Sequence, residues 1–180
     1  MIDAAQALGP GAGRLIAYPA VRRHHGTMVR SESRLVDELA EWSAWVPLAT
    51  ARTTAPTLPG VYLACEGADG PIVYVGMAGE RRGQGIRGRL TVYSTGKGMV
   101  SGLGEAAMDR ALADPAWLRE RLREVEQGRP LRAKAWAQAA LARADLRVRW
   151  TVTPDRASAL ALERSVLDAL DDVDLWNRAR

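Results

Sequence analysis

Apolar positions along the chain change period several times, and each change marks an element. From Ser31, the residues Leu35, Leu39, Trp42 and Val46 recur every three or four positions. That spacing predicts a helix capped by Ser31 or Ser33 and ended near Pro47. Thr53 to Pro59 holds two prolines and reads as a linker. Residues 60–65 and 72–76 are short runs rich in Val, Ile, Leu and Tyr, joined by Gly67-Ala68-Asp69-Gly70-Pro71. This is the composition of a hairpin and its turn. A Gly-rich loop from Gly79 to Gly88 follows, and a helix is expected from Gly85 or Ile86 to about Ser94. Residues 100–145 read as helical, with Asp114 capping Pro115 to Gln127, Gly128 stopping that segment, and another running from Leu131 to Ala144. Leu146, Val148, Trp150 and Val152 alternate with Arg147, Arg149 and Thr151, which predicts a strand buried on one face. Pro154 opens a last helix with apolar Leu160, Val166, Leu167 and Leu170.

Length and composition narrow this picture. The 180 residues suit one domain with an extension. There is no Phe, so Trp and Leu supply the bulk of the core. A net charge of +4 is a mild excess that favours a polyanionic partner without demanding one. The single cysteine, Cys65, excludes an internal disulfide and a cysteine-based zinc site, and it reads as a packed core thiol. His24 and His25 read as a solvated pair in a loosely ordered N-terminal arm. No basic region precedes an apolar run at the N-terminus, and no stretch approaches the ~20 apolar residues of a membrane span. A soluble cytoplasmic protein without a membrane partner is expected.

Some polar residues disturb the apolar pattern. In the last helix the stripe through 160, 163, 167 and 170 passes through Glu163. A carboxylate on such a face needs a partner, and a metal ion or an arginine would serve. Ile86, Leu90 and Tyr93 share a helix side with Arg89, which could pair with Glu163 or grip a phosphate with its planar fork. Tyr62 and Tyr74 lie on the hairpin strands, where core tyrosines are common. The loop 79–88 lacks the Gly-Lys-Ser/Thr ending of a nucleotide-binding loop and has no parallel βαβ unit around it. It reads as a basic loop that contacts a nucleic-acid backbone.

Taken in order, these residues resemble the GIY-YIG nuclease superfamily. Gly60-Val61-Tyr62 looks like the first signature and Tyr74-Val75-Gly76 the second. Arg89 followed by Tyr93 resembles the helix motif, Glu163 the metal-binding glutamate and Asn177 the terminal asparagine. The likeness covers about residues 57–180, leaving 1–56 as an N-terminal arm and helix. It is closer to restriction-type members with a long loop than to compact repair nucleases. It implies an α+β fold with a three-stranded antiparallel sheet flanked by helices, and a helical insertion at about 100–145 before the third strand. It further implies a metal-dependent endonuclease acting on DNA, most simply double-stranded. Glu163 would hold Mg²⁺ or Mn²⁺, Tyr62 or Tyr74 would accept a proton from water, and Arg89 would stabilise transition-state charge. Tyr93 would position water or phosphate, and Asn177 would brace the site. Arg81, Arg82, Arg87 and Lys97 are the expected nucleic-acid contacts. The departure is Met77, where family members often carry Lys. A degenerate domain that binds DNA without cutting it, and a plain interaction module, are the competing expectations.

Overall fold

The hairpin is the structural centre of the chain. In the computed structural model, which describes residues 34–80, 84–100 and 102–177, strand β2 (Gly60–Glu66) pairs antiparallel with β3 (Ile72–Ala78). A register shift between Ala64 and Cys65 marks a bulge beside the turn. Strand β4 (Leu146–Val152) pairs with the other side of β2, and a two-residue strand β1 (Val46–Pro47) pairs with β4. The sheet is therefore α+β in setting, four-stranded and wholly antiparallel, in the order β1-β4-β2-β3. Strand β3 lies at one edge.

Two apolar layers sandwich this sheet. Tyr62, Ala64, Tyr74, Leu146 and Val148 face helix α1 (Leu48–Thr54), helix α2 (Gly85–Ser94) and the helices of 102–143. Val61, Leu63, Val75 and Ile72 face helix α6 (Arg156–Ala169) and Val36. The expected helical stretch is made of α3 (Gly102–Leu112), α4 (Pro115–Glu126) and α5 (Ala133–Arg143). Asp114 caps α4 as its sequence implied, accepting from Ala116 N at 2.9 Å. Its other oxygen accepts from Arg143 at 2.8 Å, which ties the start of α4 to the end of α5.

Two expectations need correction. The helix of 31–46 does not form as such, since the described chain is helical only at 34–37 and turns immediately after. Val36 is buried, whereas Leu35 and Leu39 are exposed. The cause is tertiary: Trp42 Nε1 donates to Val36 O at 3.0 Å, and Trp42 and Trp45 fold back over β4. That covering layer also overturns the one-sided pattern of β4. Arg149 and Thr151, expected on a solvent face, are buried, while Val152 is half-exposed. The Arg149 guanidinium lies 5.2 Å from the Trp42 ring and 4.8 Å from the Trp45 ring, and pairs with Asp37 at 2.6 Å. Cys65 behaves as expected: it is buried, and loss of solvent raises its thiol pKa to about 11.

Candidate active site

Gly76 lies directly across from Tyr62 in the β2–β3 register. The missing side chain at Gly76 leaves room for the Tyr62 ring, because a Cβ there would collide with the Tyr62 hydroxyl. Tyr62 and Tyr74 then stack at 6.2 Å between centroids, 25° from parallel. Helix α2 brings a third ring. Ile86, Leu90 and Tyr93 form its buried face, and the Tyr93 hydroxyl is 3.2 Å from that of Tyr62. The Tyr74 hydroxyl lies near enough to Tyr93 for the two phenols to interact. Gly102 stands beside this group with φ +50°, and a Cβ there would lie 2.6 Å from the Tyr74 hydroxyl and 2.8 Å from that of Tyr93.

The three rings differ in access. Tyr62 and Tyr93 are sealed at 1% exposure, whereas Tyr74 retains 9%. Burial pushes the phenols of Tyr62 and Tyr74 well above the ordinary value, and the other tyrosines add to the effect. Arg89 opposes the rise at both. Glu163 is near enough to Tyr74 to raise it further. Glu163 is itself half-buried, and burial lifts its carboxyl above the usual range against the pull of the Met77 backbone N–H and Arg89. Its inward line on α6 is Ala159, Val166 and Leu170 rather than Leu160 and Leu167. The anomaly is as expected, but the stripe is rotated by one position. Arg89 is partly exposed and lines an open cleft of about 320 Å³ with Ala78, Gly79, Gln84, Gly85, Gly88 and Val92. Tyr62, Tyr74 and Tyr93 thus form one cluster, with Arg89 and Glu163 within electrostatic reach of Tyr74, and of the five Arg89 lines the cleft.

The other anticipated residues are distributed differently. Asn177 bonds the backbone beside Tyr74: its Nδ2 donates to Val75 O at 2.8 Å and its Oδ1 accepts from Val75 N at 3.1 Å. Trp176 N donates to Val73 O at 2.6 Å. These bonds satisfy Val73 O and both backbone groups of Val75 along edge strand β3. Asn177 therefore has a structural use at the β3 edge. Met77 packs its side chain against the α6 layer, on the far face from the tyrosines. Arg87 Nε donates to Ala55 O at 2.6 Å, which takes one of the five N–H donors of its half-exposed guanidinium. Lys97 is exposed. Arg81 and Arg82, like His24 and His25, lie outside the described residues.

The first backbone N–H groups of α2 are also engaged: Ile86 N donates to Leu58 O and Arg87 N to Pro56 O. An anion at that helix start would find them occupied. Sequence reasoning missed Arg156, whose side chain lies over Gly79 at the mouth of the cleft. Its only signal was a cation next to the Asp155 cap of α6, which is an unremarkable place for one. Comparisons with protein-family models, with curated proteins and with solved structures return no match.

The chemistry of the donor set decides what metal this neighbourhood could take. Among the described residues, no group of three or more His, Cys, Asp or Glu gathers. A closed protein cage is therefore absent there. A single half-exposed carboxylate instead suits Mg²⁺ or Mn²⁺, hard ions that keep waters and take further oxygens from a substrate phosphate.

Proposed function

We propose that this chain is a GIY-YIG-type endonuclease that hydrolyses DNA phosphodiester bonds. The observation that carries the reading is the electrostatic proximity of Tyr74, Arg89 and Glu163, from three separate elements, with Arg89 lining an open cleft. Mg²⁺ or Mn²⁺ held by Glu163 would supply charge neutralisation of the phosphate and its leaving oxygen. Arg89 binds the scissile phosphate and stabilises its added charge as water attacks. Tyr74, the most accessible of the three phenols, takes the proton from that water. Tyr62 and Tyr93 hold the Tyr74 ring and hydroxyl in place. Arg156, at the cleft mouth, adds a cation where Met77 gives none.

Tyr74's raised pKa makes the phenolate scarce at neutral pH, so the rate should rise with pH across the neutral range. The test is nicking of supercoiled plasmid with Mg²⁺ or Mn²⁺, by wild type, Arg89→Ala and Glu163→Ala. The reading requires that both variants lose most of the activity. It fails if wild type nicks no faster than Glu163→Ala with either metal. One observation favours a second reading, a DNA-binding domain that does not cut. Tyr62, the first-signature tyrosine, is sealed and strongly disfavoured as a phenolate. DNA binding without nicking in the same samples would support that reading.

A further inference from the structure

Helix α4 has an apolar stripe on its outer side. Leu118, Leu122 and Val125 recur at helical spacing and are 36%, 55% and 48% exposed. With Trp136 of α5 they line a groove of about 350 Å³. Contiguous apolar surface of this kind marks an interaction face, unlike single scattered leucines. Arg121 at the groove is 9% exposed and is paired through Nη2 to Glu120 and Glu124. Its Nε and the Glu124 Oε2 are buried without a partner.

Charge placement identifies the occupant. Helix α4 carries Arg119, Arg121 and Arg123 against Glu120, Glu124 and Glu126, so its face has no net charge to attract a polyanion. Arg119 and Glu126 are exposed, seven residues apart, and flank the stripe on one side. Neither is ion-paired among the described residues. Seven residues is nearly two turns, about 10 Å along the axis. A two-fold axis crossing α4 near Leu122 therefore sets Arg119 of one copy against Glu126 of the other, twice. The same axis lays Leu118, Leu122 and Val125 of both copies together. From this we infer that the outer face of α4 binds a second copy of this chain, helix against antiparallel helix. Such a contact is isologous, as a closed dimer requires.

This pairing does not depend on the nuclease reading. Sedimentation of the full chain over a concentration series tests it, with Leu122→Glu, Arg119→Glu and Glu126→Arg as variants. All three positions are exposed, and an unchanged far-ultraviolet circular dichroism spectrum confirms that each variant folds, since loss of the dimer itself lowers the melting temperature. Wild type should sediment as a dimer and Leu122→Glu as a monomer. Arg119→Glu and Glu126→Arg alone should each weaken the dimer by roughly tenfold or more, because two like-charge contacts replace two ion pairs. Their equimolar mixture should recover wild-type affinity, since both pairs re-form in the heterodimer. A monomeric wild type, a dimeric Leu122→Glu, or a mixture no tighter than its components would each overturn the inference.

Discussion

The tyrosine group makes an energetic claim that a double-mutant cycle can test. At 3.2 Å, the Tyr62–Tyr93 contact is longer than a strong O–H···O bond. Its net worth therefore lies at the low end for a neutral pair, about 0.5–1 kcal/mol. Tyr62→Phe removes that bond and strands the sealed Tyr93 hydroxyl, so it should destabilise by about 1–2 kcal/mol. Tyr93→Phe likewise strands the sealed Tyr62 hydroxyl and should cost about the same. In the double variant the Tyr62 hydroxyl is no longer present to be orphaned. Its loss should therefore fall short of the sum of the two singles by about 0.5–1 kcal/mol. Urea unfolding of the four proteins measures all these terms, provided the denaturant dependence is unchanged among them. If the two losses simply add, the Tyr62–Tyr93 bond contributes nothing and the reasoning is refuted.

Glu163→Gln probes the half-buried carboxylate through pH. Its pKa is raised above the ordinary 4.5, so folding binds a proton more tightly, and native stability falls as pH climbs from that value through the raised one. The variant should therefore gain thermal stability on wild type at pH 7 relative to pH 4, and an equal difference at both would contradict the burial argument. Asn177→Ala loses two bonds to Val75 at the β3 edge and should cost about 1–3 kcal/mol, with faster amide exchange along β3. An unchanged exchange rate there would remove Asn177 from its bracing role. Gly76→Ala forces the new methyl into Tyr62 and should destabilise by about 1–3 kcal/mol. A neutral effect would mean that the tyrosine stack is looser than described.

The elements around the cleft could be read locally because their periods are local. Strand β4 appears over the expected residues, and α2 runs from Gly85 to Ser94 as its pattern implied. Glu163 stood out because a charge interrupts an apolar face, even though the face turned out to run through Ala159, Val166 and Leu170. What was illegible depends on distant partners. Helix α1 is seven residues long and Thr-rich, and Thr hydroxyls such as that of Thr53 bond back to nearby carbonyls. Nothing in residues 48–54 alone announces a helix. The Trp42–Arg149–Trp45 stack joins positions about a hundred residues apart, so the burial of Arg149 was invisible in the alternation of β4. Arg87 Nε meets Ala55 O, a partner 32 residues away that the local sequence does not signal.

The most direct measurement is the single-turnover rate of cleavage of a short labelled DNA duplex in Mn²⁺, wild type against Glu163→Gln, both verified as folded. Gln keeps the size of the side chain and its capacity to accept from the Met77 N–H, and removes only the charge. The nuclease account predicts cleavage by wild type that increases with metal concentration, and a loss of about a hundredfold or more in the variant. Equal rates in the two proteins, or no cleavage by wild type in any metal, would contradict it.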